Sequence, residues 1–138
     1  MTDVTRFDGV RVPASEYRPV WIDNLAHDVT IEGSAMNGLV EGAEAVRSIV
    51  SYIRTLYESQ EFHFAGPYSN DGFLEDYTAE VQGQTIGNVV LVTRNSACQA
   101  QRIVANYRPR SALLLMSRLI GEHFMDTAIG EHFAGTGD

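Results

Sequence analysis

Glu75, Tyr77, Asn88, Gln101 and Tyr107 are the residues of this chain most able to do chemistry together. They fall in a stretch, 61–108, where β-rich runs alternate with turn residues. The runs are Glu61–Tyr68, Phe73–Val81, Thr85–Arg94 and Cys98–Arg108, joined by Ser69-Asn70-Asp71-Gly72, Gly83-Gln84 and Asn95-Ser96. Connectors this short suit antiparallel hairpins. A two-residue turn at Asn95-Ser96 sets Val90 opposite Gln101, Asn88 opposite Ile103 and Ile86 opposite Ala105. One at Gly83-Gln84 sets Ala79 opposite Asn88 and Tyr77 opposite Val90, and the turn before it brings Phe64 near Tyr77. Because side chains alternate along a strand, these residues share one face. That face is apolar and aromatic with a few polar groups, the composition of a small-molecule pocket.

The chemistry such a face offers is acid–base chemistry beside hydrogen-bond donors. A carboxyl at Glu75 that is desolvated by its neighbours has its pKa raised toward the range of a general base or acid. Tyr77 and Asn88 hold a carbonyl or hydroxyl. Phe64, Gln101, Ile103 and Tyr107 complete the wall, and Trp21 closes one end, by packing or by stacking on a ligand. A bulge at Gly66-Pro67 flips the first strand and brings His63 inward as an alternate base. Three readings of the face stay open: plain core, a ligand pocket without chemistry, or a catalytic pocket.

The elements that must position these residues are legible in outline. Residues 1–14 read as a loose leader. A short helix is predicted from Ser15, or from Pro19, through Trp21 to Ala26. His27–Gly33 alternates and is β-branched, so it is predicted to be a strand, and Asn37-Gly38 supplies a turn. Residues 42–58 carry Val46, Ile49, Val50, Ile53, Leu56 and Tyr57 on one helical stripe. Pro109 opens a second helix with Leu113, Met116, Leu119, Ile120 and Phe124 on one side. Residues 131–138 read as a frayed tail. The order predicts one α+β domain, 1–138, in which four or five antiparallel strands curl around a pocket covered by helices. The other sheet face is mixed, with Val89, Leu91 and Val104 among charged residues, and suits solvent or a homodimer.

Composition narrows the classes. The chain has 138 residues, 44% hydrophobic and 20% charged, within the range of a globular domain. Its single cysteine, Cys98, can form no internal disulfide, which fits a reducing compartment, the cytoplasm. No run approaches a membrane span and the start resembles no secretory signal. A net charge of −8 disfavours nucleic acid as a partner. His27, His63, His123 and His132 show no paired spacing, so neither a metal nor another cofactor is expected.

The run DVTIEGSAMNGLVEGAEAVRSI (28–49), the long helix, then FHF, FLEDYTAEVQGQ and NYRPRSALL together resemble the nuclear transport factor 2-like superfamily, nearest its SnoaL-like branch. The resemblance covers about 15–125. It implies a cone-shaped, cystatin-like α+β barrel with a deep pocket, often dimeric, in a superfamily that includes ketosteroid isomerases, polyketide cyclases, dehydratases, epoxide hydrolases and non-enzymes. The isomerases carry an aspartate base after a glutamate at the end of the first strand, where this chain has Glu32 and then Gly33. The epoxide hydrolases use an Asp–Arg–Asp set, and the face described above holds neither type. The dehydratases use a histidine pair, and His63 has no second strand histidine. Two expectations follow. One is a pocket protein acting as an isomerase, cyclase or lyase on an apolar oxygenated molecule. The other is a non-catalytic homodimeric binding or structural domain.

Overall fold

The computed structural model describes residues 10–12 and 19–133. Among these residues seven strands form one sheet: β1 (Val10–Val12), β2 (Leu25–Gly33), β3 (Val40–Glu41), β4 (Ser59–Tyr68), β5 (Gly72–Val81), β6 (Gln84–Arg94) and β7 (Ala100–Arg108). Two helices, α1 (Ala43–Leu56) and α2 (Arg110–His123), accompany them. The strand order is β1-β4-β5-β6-β7-β2-β3. Every neighbouring pair is antiparallel except β2 and β7, which run parallel. The α+β class is therefore as expected, but the sheet is longer than four or five strands and mixed. The parallel pair arises because α1 and the β4–β6 meander separate β2 from β7, so no hairpin dictates their relative direction.

Strand alternation drives the packing. Along β5, Phe73, Glu75, Tyr77, Ala79 and Val81 are buried while Leu74, Asp76, Thr78 and Glu80 are half-buried. Along β6, Ile86, Asn88, Val90 and Val92 continue the buried face. The inner face receives α1 through Val46, Ile49 and Val50, and α2 through Ala112, Met116, Leu119 and Ile120. Helix α1 packs against β2 and β3, and α2 against β6 and β7. Phe62, Phe73, Ile86, Ile103, Met116 and Ile120 are almost fully buried. Side chains of that size each contribute roughly 1.5–3 kcal/mol on burial.

The hairpin registers differ from those inferred from the turns. The β5–β6 turn is Gln82-Gly83, both at positive φ, not Gly83-Gln84. The primed turn this geometry makes matches strand twist and takes glycine at its second position. Tyr77 thereby faces Asn88, and Glu75 faces Val90. The β6–β7 connection is the longer loop 95–99, so Asn88 faces Tyr107, Val90 faces Ala105 and Val92 faces Ile103. Asn95 organises that loop: its Oδ1 accepts the backbone N–H groups of Ala97 (2.9 Å) and Gln99 (3.0 Å). Both shifts are even, so the residues from Phe73 to Val92 and from Ile103 to Tyr107 keep their face, while a one-residue slip at Gln101 breaks the pattern there.

The ends also differ from expectation. Val10–Val12 pairs with Gln60–Phe62 of β4, so part of the predicted leader is a sheet edge. The short helix near Pro19 is a 3-10 turn, Val20–Asp23, and Leu25–Ala26 already belong to β2; its alternative start at Ser15 lies outside the described residues. In the predicted tail, Gly130–His132 forms a 3-10 turn and buried Phe133 bridges Met36, while residues 134–138 lie outside the described residues. Among the described residues no helix is long and apolar enough to cross a membrane.

Candidate functional site

Three adjacent strands place Tyr77, Asn88 and Tyr107 in one row across the inner face, each facing the next. Tyr57, the residue that ends α1, reaches over this row. The Tyr57 hydroxyl lies 2.9 Å from the Tyr77 hydroxyl and 3.2 Å from that of Tyr107. Asn88 Nδ2 donates to the Tyr77 hydroxyl at 2.9 Å. Asn88 Oδ1 is buried and has no hydrogen-bond partner among the described residues. Tyr57 and Tyr77 pack edge to face, with ring centroids 5.7 Å apart, which fixes both rings.

Burial sets the electrostatics of this cluster. It pushes the Tyr57 and Tyr77 phenols well above their usual pKa; Tyr107 adds to both shifts, Tyr77 adds to that of Tyr57, and the hydrogen bonds from Tyr57 and Asn88 offset part of that of Tyr77. Tyr107 is pushed up to about 12 by the same desolvation. Near neutral pH all three are neutral hydroxyls, able to donate as well as accept.

Glu75 stands two residues before Tyr77 on the same strand and is 2% exposed. Trp21 Nε1 donates to its Oε2 at 3.3 Å. These groups share a cavity of about 50 Å³, measured as space for the centre of a water-sized sphere. Val50, Ile53, Val90, Ile103 and Ala105 supply its apolar wall. A smaller apolar chamber of about 20 Å³ adjoins it and shares Ile31, Ile53, Ala105 and Tyr107 as lining. Phe133 lines the smaller chamber.

Of the residues singled out from sequence, the cavity gathers Glu75, Tyr77, Asn88, Tyr107, Trp21 and Ile103. It does not gather Phe64, Gln101 or His63. The β4–β5 register slips between Phe62 and Phe64, so Phe62 faces Tyr77 and Phe64 faces Asp76. A bulge of one residue inverts the side chains beyond it. It lies at His63, not at Gly66-Pro67. Phe62 is buried while His63 is exposed, and Phe64 is half-buried against Gly66. Gln101 is held outside the cavity. Its Nε2 donates to Asp28 Oδ1 (2.9 Å), and its Oε1 accepts from Asn95 Nδ2 (3.0 Å). That bond from Gln101 is also the leading cause holding the Asp28 carboxyl below its ordinary pKa.

The sequence reading missed Tyr57, Gln60 and Arg54, which also line the cavity. Tyr57 reads as the last residue of an apolar stripe, and nothing in helical periodicity tells a hydroxyl bound in a cluster from one reaching water. Arg54 enters from α1, so a search confined to the strand face could not find an arginine there. Among the described residues no three His, Cys, Asp or Glu side chains converge as a metal site would require.

This geometry has solved counterparts. A protein from Silicibacter pomeroyi described as having a cystatin-like fold superposes with a TM-score of 0.70 at 15% identity, over 78% of this chain and 75% of its own. The chain has a cystatin-like fold. A steroid delta-isomerase from Pseudomonas aeruginosa matches with a TM-score of 0.68 at 16% identity, over 74% and 75%. A de novo designed protein with a curved β-sheet matches at 0.57 and 18%, over 68% and 75%. No family model and no curated protein sequence matches the chain. At these identities the likeness is one of fold, a shape that carries unrelated functions.

Proposed function

We propose that this cystatin-like barrel binds a small, largely apolar molecule through one oxygen atom and acts on it by acid–base chemistry, as an isomerase, cyclase or lyase. One observation carries the reading. A buried carboxyl, Glu75, shares a pocket of largely apolar walls with a hydrogen-bonded cluster of three neutral tyrosines and Asn88. Apolar walls with few convergent polar groups are the usual build of a ligand site. In the proposed reaction the substrate oxygen accepts a hydrogen bond from the tyrosine cluster. Glu75 takes a proton from a carbon next to the carbonyl and returns it elsewhere on the same molecule. The charge that develops on oxygen is stabilised by hydroxyls already oriented by one another, so little reorganisation is needed. Trp21 positions the carboxyl through its N–H. His63, exposed on β4, has no part in this reading. The reaction uses no cofactor, and a cytoplasmic setting suits the lone Cys98 thiol.

The test is Glu75→Gln, which keeps size and hydrogen bonding but removes the base. Conversion of a small β,γ-unsaturated cyclic ketone to its conjugated isomer is followed by ultraviolet absorbance. The expected result is turnover by the parent chain and a loss of about 100-fold or more in the variant, the scale of one general base, with an unchanged circular dichroism spectrum. Full activity in the variant removes Glu75 from the mechanism.

A second reading, a non-catalytic homodimer through the outer sheet face, is favoured by one row of side chains. Leu74, Leu91 and Val104 stand directly opposite one another across β5, β6 and β7, half-buried on the side away from the helices. An apolar row at the centre of a mixed face is the composition of a dimer contact. Absence of turnover with enones, lactones and epoxides, together with a stable dimer, selects this reading.

A further inference from the structure

Counting protons in the tyrosine cluster narrows the ligand beyond the proposed function, on which this step rests. Three hydroxyls bring three protons, and among the described residues there are two hydroxyl–hydroxyl contacts, Tyr57 with Tyr77 and Tyr57 with Tyr107. Asn88 Nδ2 already occupies the Tyr77 oxygen as a donor. Whichever way the bonds run, one hydroxyl proton is left without an acceptor among the described residues. Beside it, Asn88 Oδ1 is an acceptor without a donor, on a side chain only 2% exposed. Turning the amide about lets the cluster use all its protons, but then the amide N–H groups are left over instead. Buried polar atoms in this state are unfavourable, and a ligand that pairs them is favoured. Asn88 faces Tyr77 on one side and Tyr107 on the other. The open acceptor therefore stands in the row between Tyr77 and Tyr107, beside the cluster that holds the open donor.

The cavity also sets a size. In the measure used above a water needs roughly 10–15 Å³, so 50 Å³ corresponds to about four waters, or some 100–150 Å³ of liquid. Space of that size matches a five- or six-membered ring. The adjoining apolar chamber leaves room for a short alkyl arm.

We propose that the cavity selects a compact neutral ring that carries an N–H or O–H donor beside its carbonyl acceptor, the lactam class. The carbonyl takes the spare tyrosine proton and the donor meets Asn88 Oδ1. A lactone of equal size fills the same space but leaves the Asn88 acceptor buried and unpaired. Recognition of this kind rejects the analogue that lacks the donor more strongly than it rejects a missing methylene.

The experiment compares δ-valerolactam with freshly dissolved δ-valerolactone by calorimetric titration of the full chain and of Asn88→Leu. The expected result is lactam binding about tenfold or more tighter than lactone, within the range for one buried hydrogen bond, with the preference falling below threefold in Asn88→Leu. If that variant does not fold, 1-methyl-2-piperidone against the full chain replaces it, since methylation removes the donor; binding as tight as the lactam's overturns the inference. Equal affinity for lactam and lactone, or a lactam preference that survives in folded Asn88→Leu, overturns it too while leaving the cavity reading intact. Failure of both rings to bind at millimolar concentration overturns this inference and the cavity reading together.

Discussion

Replacing Tyr57 with phenylalanine removes one oxygen atom from the centre of the hydroxyl cluster and leaves the apolar packing of the ring in place. The lost hydroxyl holds two contacts, at 2.9 Å to Tyr77 and 3.2 Å to Tyr107. Each buried hydrogen bond contributes about 1 kcal/mol net. Tyr77 keeps its bond from Asn88, whereas Tyr107 loses its sole hydroxyl partner among the described residues. Tyr57→Phe is therefore expected to cost about 2 kcal/mol, and Tyr107→Phe, which removes one bond and leaves Tyr57 paired with Tyr77, about 1 kcal/mol. Urea unfolding at neutral pH, followed by circular dichroism and by the fluorescence of the single tryptophan, measures both. With a slope of roughly 1–3 kcal/mol per molar, the midpoint for Tyr57→Phe falls by about 1 M at unchanged slope. A cost below about 0.5 kcal/mol, or a larger cost for Tyr107→Phe than for Tyr57→Phe, refutes the assignment of Tyr57 as the hub.

The same burial makes stability sensitive to alkali. Folded Tyr107 keeps its proton up to about pH 12, while the unfolded phenol loses it from about 10, so stability is full below 10 and falls between 10 and 12. Tyr107 alone accounts for roughly 3 kcal/mol of that fall; the Tyr107 Cζ resonance is expected to keep its neutral position until the chain unfolds, and ionisation of Tyr107 in the folded state near pH 10 counts against this. Gly33→Ala probes the parallel pair: an added Cβ would run into the Ala105 carbonyl oxygen across from it, which also accepts the Ser34 N–H at 3.1 Å. A loss of about 1–3 kcal/mol is expected, and an unchanged thermal midpoint contradicts the β2–β7 register. Leu91→Glu is expected to turn a dimer into monomers in sedimentation without loss of helicity; a dimer that persists rules out the outer face as the interface.

What could be read from the sequence depended on parity. The turn positions were displaced, yet the shifts at Gln82-Gly83 and at 95–99 were even, so Glu75, Tyr77, Asn88 and Tyr107 stayed on the inner face. The odd slip at His63 inverted Phe64, and no residue type there announces a bulge. Gln101 sits at a second one-residue slip, where the pairing passes from Thr93–Arg102 to Arg94–Ala100. Its amide finds closer partners in Asp28 and Asn95, which the sequence separates by 67 positions and the parallel pairing brings together. The direction of β2 against β7, the edge strand Val10–Val12 and the bridge from Phe133 are long-range pairings, outside the reach of local periodicity. Tyr57 reads as the end of the helical stripe, but it is extended just past the end of α1, and its partners sit on strands 20 and 50 residues away.

The central claim is that the tyrosine–asparagine cluster meets a ligand's oxygen inside the barrel. Labelling every tyrosine with 13C at Cζ and titrating the chain with cyclohexanone tests it most directly. Saturable shifts at Tyr57, Tyr77 and Tyr107, with exposed Tyr68 unmoved, are expected. Shifts confined to Tyr68, or no saturable shift in the cluster, would contradict it.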